Sequence, residues 1–401
     1  MKDAHFILVV YYFGTAELTG SRRWREMAQL LVTHGRVTVV CADGAGEDCE
    51  GIEVVQVPDR GNRCRAGVFA GRTRSGTLST TVRRLVSSLF FWPDRQRGWS
   101  RRAVQRLGKL AGSGGPTFVI TSGPIFSVHS EMCRWVGRNP GRVRWVMDFR
   151  DLWTNEIAPG LQRRTPAWLT AFERPLEQRC HVAADVVTTI GKGLARLLQQ
   201  DFGSAPVVLY NGYAKMESPV PQRVGGPVSV RYLGTIIPGL RSPALLLQAA
   251  ARLGIGADRL RFDFWCNDAD RVRKEAEQAG AEQLLSCHPA VSQAEATGLA
   301  QEADANLVLN ALVPEADQVV TGKVFELIAA QRPILAITGE DSELRKILES
   351  CAGQTCIWNL ETACSALQSL LEGRLPIPAD PTGTYSRQRA VDTLLDALRA
   401  P

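Results

Sequence analysis

The chain has 401 residues, 45% of them hydrophobic and 22% charged, with a formal net charge of +6. That length exceeds one ordinary core and suits two domains, and the composition excludes a largely disordered chain. The charge is uneven: residues 60–109 hold thirteen Arg or Lys against one acid, Asp94, which leaves −6 for the rest of the chain.

The first apolar run, "HFILVVYYF" (5–13), follows a single Lys and has neither a long apolar core nor a small-residue cleavage site, so it reads as a strand rather than a signal peptide. A Gly- and Thr-bearing loop comes next. "RRWREMAQLLVTHG" (22–35) then spaces Trp24, Met27, Leu30 and Leu31 for one helix face, and "RVTVVCAD" (36–43) is a second strand. Strand, helix and strand make a βαβ unit, whose strands are parallel. Further strands are expected at 117–122, 143–149, 184–190 and 206–212. Residues 214–227, rich in Pro, Gly and polar residues, form the expected linker. Beyond it strands and helices alternate again, with helices at 242–253, 268–279, 292–303, 323–330 and 341–350 between the strands. The expected fold class is α/β, two Rossmann-like, doubly wound parallel-sheet domains in sequence, and a last helix at 385–400 follows a Pro-rich break. No apolar run reaches the ~20 residues needed to span a bilayer. The ten cysteines are scattered without any C-x-x-C, so no zinc spacing is present and they read as reduced packing residues of a cytoplasmic protein.

In open α/β sheets ligands bind beyond the carboxyl ends of the strands, so two such domains facing a cleft would line it with loops from both. The loop after the first strand, "FGTAELTGSRR" (13–23), lacks the G-x-G-x-x-G spacing, and no P-loop occurs anywhere, so neither the dinucleotide nor the P-loop reading applies. It is either an ordinary βα loop or an anion site at a helix N-terminus. "TGKVFELIAAQRPILAI" (321–337) puts a glutamate, Glu326, into an apolar helix that opens with Gly322 and Lys323. A charge taken out of water needs hydrogen-bonded partners. A capping box starting at Thr321 fails, because the acid would fall on Val324. A salt bridge to Lys323 at i, i+3 stays open, as does a carboxylate that accepts bonds from the vicinal hydroxyls of a ribose.

"GKVFELIAAQRPILA" (322–336) resembles the E-x-x-A-x-G-x-P-x-x-A signature of retaining glycosyltransferases with the two-domain GT-B fold. "SRRWREMAQLLVTHGRVTVV" is similar to the family's first helix and second strand, and "FFWPDRQRGW", "VITSGPIFSVH" and "VMDFRDLWT" resemble the branch that builds exopolysaccharides and related glycans. "ADVVTTIGKGLARLL", "VVLYNG" and "VRYLGTI" follow in the family's order, so the resemblance runs through most of the chain. It implies an acceptor-side domain at 1–213, a linker at 214–227, a donor-side domain at 228–380 and a C-terminal helix at 381–401 that returns to the first domain. The implied reaction moves a sugar from a UDP- or GDP-linked donor to an acceptor hydroxyl, with retention, without a metal and without a bound cofactor. The acceptor would be a lipid-linked glycan or a small natural product.

Carried over residue by residue, the resemblance implies that Glu326 binds the ribose, Gly322 and Lys323 the diphosphate, and Gly20 with Ser21 the phosphates from the other domain, with the base near 288–292. The sequence departs from the family in places. Gln318 stands where the family has a glutamate for the donor sugar, and Thr235 stands where it has a diphosphate arginine. Arg241 is one residue out of register for the lysine that follows. In place of a histidine after the fifth strand the chain has "DFRD", which makes Asp148, Arg150 and Asp151 the catalytic candidates, with His129 the nearest histidine. An Asp–Arg ion pair holding that loop is the structural alternative.

The basic segment carries a stripe of Val82, Leu85, Val86 and Leu89 followed by Phe90, Phe91 and Trp92 with arginines on either side. Such a stretch suits an anionic membrane surface at the inner face. A solvated Arg-rich loop or a site for an acidic soluble acceptor explains it as well. A sugar-nucleotide epimerase of the same fold is the alternative enzyme. Nucleic-acid binding is the alternative from another class, and against it the positive charge is confined to one segment, without a recognition helix or stacking motif.

Overall fold

The computed structural model describes residues 3–14, 19–44, 49–59, 93–112, 115–155, 167–218, 220–221, 225–351 and 355–400. Most of the expected membrane-facing stretch, residues 60–92, lies outside them. The chain divides into two compact units: Met1–Ile190, Ala195–Leu209 and Val391–Pro401 make the first, Gly191–Leu194 and Tyr210–Ala390 the second.

In the first unit the elements run β1 (Ala4–Val9), α1 (Thr19–Leu31), β2 (Gly35–Cys41), β3 (Ile52–Gln56), α2 (Arg97–Gln105), α3 (Leu107–Leu110), β4 (Thr117–Ser122), α4 (Ser127–Arg138), β5 (Arg144–Phe149), α5 (Ala167–Ala183), β6 (Val186–Thr189), α6 (Lys192–Phe202) and β7 (Val207–Val208). The strands form one sheet in the order β3-β2-β1-β4-β5-β6-β7, every ladder parallel. All six residues of β1 are buried, as expected of a central parallel strand with helices on both faces. Helix α1 turns Trp24, Met27 and Leu31 onto the sheet, each fully buried. This is the face its periodicity predicts.

The second unit continues with β8 (Val228–Gly234), α7 (Ala244–Arg252), β9 (Leu260–Cys266), α8 (Ala269–Ala279), β10 (Leu285–His288), α9 (Gln293–Glu302), β11 (Ala305–Leu309), α10 (Lys323–Ala329), β12 (Ile334–Ile337), α11 (Glu343–Ser350), β13 (Cys356–Ile357) and α12 (Leu360–Leu371), and the last helix, α13 (Arg387–Arg399), belongs to the first unit from Val391 on. Its sheet is also parallel, in the order β10-β9-β8-β11-β12-β13. One side packs Val230, Phe262, Phe264, Leu246 and Leu367 into a core, and the other packs Phe325, Ile328, Ile334 and Leu344. At roughly 1.5–3 kcal/mol for each large apolar side chain buried, these two layers carry most of the drive for the unit to fold. Helices α8, α9, α11 and α12 start on Asp268, Ser292, Ser342 and Asn359, whose side chains accept a backbone N–H in the first turn. Both sheets are doubly wound: strand order reverses between β1 and β4 in one, and between β8 and β11 in the other. Those reversals are where such sheets open a crevice at their carboxyl ends.

One buried polar cluster fixes the first unit. Asp148, at the end of β5, is completely buried. Its carboxylate accepts from Arg23 Nη1 at 3.0 Å and Nη2 at 3.3 Å, from Trp24 Nε1 at 3.2 Å, from Ser122 Oγ at 2.7 Å and from Thr188 Oγ1 at 2.8 Å. Arg23, equally buried, also donates to the Leu209 carbonyl at 3.2 Å. Burial by itself would raise the pKa of Asp148. The Arg23 charge and the hydrogen bonds from Ser122, Arg23 and Thr188 outweigh it and hold the carboxyl below the ordinary aspartate value.

Breaking this pair from one side leaves a buried guanidinium uncompensated. Asp148→Asn is therefore expected to destabilise the protein by about 3–5 kcal/mol in urea unfolding. Because the folded pKa lies below the unfolded one, the stabilisation is full above the unfolded value of about 4 and fades as pH falls through the lower folded value. Wild type should thus lose more stability in that acid range than Asp148→Asn, and the two curves should approach each other there.

Candidate functional site

In the second unit the strand reversal lies beyond β8 and β11, and the loops there carry most of the expected donor residues. Lys323 opens α10 and donates through Nζ to the Leu233 carbonyl at the end of β8. Glu326 stands in the same first turn. It is half-buried, not fully buried as the sequence suggests, and the start of α9 lies beside it: Gln293 Nε2 donates to Glu326 Oε2 at 2.8 Å. The helix begins on Gly322 with no side-chain cap, consistent with the failed capping register. Beyond β8 the Thr235 carbonyl accepts from Tyr232 OH at 2.9 Å and from Arg241 Nη1 at 3.2 Å. Arg241 therefore sits beside Thr235, although its register in the sequence is one residue off. Gly234 makes this fold-over feasible, since a Cβ there would meet the Tyr232 ring and hydroxyl at 2.7 Å.

Gln318 closes the turn after β11 and packs on Gly193, where a Cβ would come within 2.5 Å of the Gln318 backbone. Next to it, the Asp317 carboxyl is raised, first by burial and then by the nearby Asp341 charge. On the base side, the His288 ring stacks on Trp265 at 4.4 Å and 18°, at the carboxyl ends of β10 and β9. The structure thus gathers Lys323, Glu326, Thr235, Arg241 and the newly recognised Gln293 around one strand end. It also reveals Glu343, almost fully buried, which accepts from Lys192 N at 2.6 Å, Gly193 N at 2.7 Å and Tyr210 OH at 2.8 Å. The "GKG" of 191–193 was a visible signal for a tight approach, but its partner lies 150 positions away.

In the first unit the four catalytic candidates separate into two pairs. Asp148 and His129 do not face an opening. Asp148 is spent on Arg23 and its neighbours. His129 is fully buried, with Nδ1 2.8 Å from Thr121 Oγ1 and its ring 5.3 Å from that of Phe149. Burial lowers the His129 pKa to about 3, against a smaller opposing pull from Asp148, so the imidazole is neutral at ordinary pH. Asp148 has its oxygens taken up by neighbours, and His129, whose Nε2 has no partner among the described residues, is fully enclosed, so a ligand reaches neither. Arg150 and Asp151 differ. Both are partly exposed, and neither forms a hydrogen bond or ion pair with a described residue. Burial lowers the Arg150 pKa and raises that of Asp151, and each charge partly offsets the effect on the other. The Arg150 guanidinium occupies the space that a Gly20 side chain would fill, 1.5 Å from an added Cβ, at the first turn of α1. Gly20 and Arg150 thus combine a helix N-terminus with a cation, a pairing suited to an anion. The Ser21 hydroxyl is buried and donates to the Phe13 carbonyl at 2.7 Å, so its side chain is engaged within the fold.

Residues 20–214 match the family described as Glycosyltransferase Family 4. No curated protein matches the sequence. Among solved structures the chain is similar to the lipopolysaccharide outer core galactosyltransferase WaaB in its apo form, at 11% identity and a TM-score of 0.61, covering 98% of this chain and 99% of that one. It is also similar to a sucrose-phosphate synthase from Thermosynechococcus elongatus, at 12% identity and 0.59, covering 98% and 94%. A third likeness is to a UDP-forming α,α-trehalose-phosphate synthase from Burkholderia vietnamiensis, at 11% identity and 0.57, covering 99% and 95%. At such identities these likenesses establish the fold, GT-B, with its two parallel-sheet α/β domains.

Two glycine substitutions separate fold from site. Gly193→Ala sets a Cβ against the Gln318 backbone, which cannot swing aside, and is expected to cost about 1–3 kcal/mol in thermal or urea unfolding. Gly20→Ala meets only the flexible end of Arg150. It should cost less than about 1 kcal/mol of stability while displacing the guanidinium, so any activity that depends on this cation should fall to the level of Arg150→Ala. Full activity in Gly20→Ala would remove Arg150 from the site.

Proposed function

We propose that this chain, a glycosyltransferase of GT-B fold with a Family 4 match over residues 20–214, transfers a sugar from a nucleoside-diphosphate donor to an acceptor hydroxyl with retention of configuration. The observation that carries the reading is Glu326, a half-exposed carboxylate in the first turn of α10 beside Lys323, at the strand reversal of the second sheet. One of its oxygens has Gln293 as a neighbour. A ribose offers two adjacent hydroxyls that a carboxylate accepts well. In transfer, the bond from the anomeric carbon to the diphosphate breaks and a bond from that carbon to the acceptor oxygen forms. The nucleoside diphosphate leaves with additional negative charge, and Lys323 and Arg241 are cations that would stabilise that charge as it develops. Gln318 would hydrogen-bond the donor sugar through its amide. On the acceptor-side unit, Arg150 with the Gly20 turn would hold an anionic group, and Asp151, with its raised pKa, would exchange a proton with the reacting hydroxyl.

With cations supplying the charge stabilisation, the reaction proceeds without a divalent metal. The donor nucleotide is UDP or GDP, and the UDP-forming synthase among the similar folds makes UDP the first to test. The acceptor is a lipid-linked glycan or a small natural product. In the lipid-linked case the enzyme works at the cytoplasmic face of a membrane, docked through its basic segment. Among the described residues no helix is long and apolar enough to cross a membrane.

A ligand present at 100 times its dissociation constant stabilises the folded state by about 2.7 kcal/mol. UDP or GDP should therefore raise the melting temperature of wild type, and Glu326→Ala should abolish the rise while melting normally in the absence of nucleotide. Transfer measured by nucleoside-diphosphate release should be unchanged by EDTA. An unaltered nucleotide shift in Glu326→Ala would overturn the assignment.

A further inference from the structure

The first unit has a second polar feature that the donor chemistry does not use. Helices α2 and α4 flank a groove of about 600 Å³, within the size range of ligand pockets, lined by six arginines and three carboxylates. Each carboxylate is engaged locally. Asp94 accepts from Ser127 N at 2.8 Å, Ser127 Oγ at 2.6 Å and Gln96 N at 3.0 Å. Asp59 accepts from Tyr11 OH at 3.0 Å and lies 3.8 Å from Arg102. Glu131 stands between Arg134 at 2.5 Å and Arg97 at 3.7 Å. That last arrangement pins one guanidinium from each wall. Arg101 and Arg138, one on each helix, are exposed and form no ion pair with a described residue. The lining therefore carries a surplus of three positive charges.

We propose that this groove binds the oxyanion groups of an acidic glycan, the acceptor chain of the transfer reaction; the assignment to an acceptor rests on the glycosyltransferase reading above. A guanidinium fork matches a carboxylate or phosphate with two parallel hydrogen bonds, and a row of them along two walls matches a chain with charges at intervals. The concave shape favours an extended chain over a flat bilayer, which meets projecting side chains rather than groove walls. The placement suits an acceptor as well. Tyr11, Asp59 and Ser127 lie just past β1, β3 and β4, so the groove opens at the same carboxyl-end edge of the sheet as Gly20 and Arg150.

The test uses the full chain and two acidic probes, hexagalacturonate and a short polyphosphate, with maltohexaose as the neutral control and phosphatidylglycerol vesicles as the membrane control. Calorimetry should show binding of at least one acidic probe, weakening as salt rises, and no binding of maltohexaose. The exposed pair Arg101→Glu/Arg138→Glu should lower that affinity at least about tenfold while leaving the nucleotide-induced rise in melting temperature intact. The proposal is overturned if neither acidic probe binds, if the double variant binds undiminished, or if only vesicles bind through these arginines. Because the nucleotide shift reports Glu326 and not this groove, failure here and failure of the donor assignment give separate readings.

Discussion

The Asp148 carboxylate lies where α1 and the ends of β4, β5 and β6 converge, and five hydrogen bonds from four side chains satisfy it. A buried charge is tolerable only with such compensation, and once compensated it admits few other arrangements of the groups around it. The consequence for function is positional. Arg23 and Trp24 tie α1 to the sheet, so the start of that helix, with Gly20, is held next to the loop that follows β5. Arg150 then has a defined seat at the helix N-terminus, beside Gly20, set by a bond network in which it takes no part.

The second unit meets a similar constraint with a different acid. Glu343 satisfies the backbone amides of Lys192 and Gly193 and the Tyr210 hydroxyl. Its negative charge also sits at the start of α6, where the exposed N–H groups favour it. Gly193 then lies close enough to Gln318 that no side chain could stand between them. The loop after β11, which carries Gln318, is thus braced through Gly193 by the Glu343 carboxylate. In both units charges engaged by several partners build the frame, whereas Arg150 and Asp151 form no hydrogen bond with a described residue.

The acid groups in the arginine groove repeat this division of labour. Glu131 is placed between guanidiniums of two helices, and Asp94 accepts from the first residue of α4, and the arginines of the lining still outnumber these acids. The basic character that the sequence concentrates in residues 60–109 thereby acquires a shaped surface in its described part, and α4 adds Arg134 and Arg138 from outside that segment.

Sequence alone determined the two parallel sheets, because buried parallel strands leave apolar runs such as 117–122 and 305–309 that alternate with amphipathic helices. It also located the first turn of α10, since a glutamate within an apolar helix is conspicuous against its neighbours. It did not show β3, whose residues are only half-buried and lack a continuous apolar run, nor the two-residue β13, which is too short to leave any pattern. Only the tertiary structure decided what each polar residue is for. Asp148 reads the same on paper as Asp151, yet its partner Arg23 is 125 positions away and Gln293 is 33 from Glu326. Hydrophobic periodicity is written locally along the chain, whereas the saturation of a charge depends on which distant donors the fold brings to it.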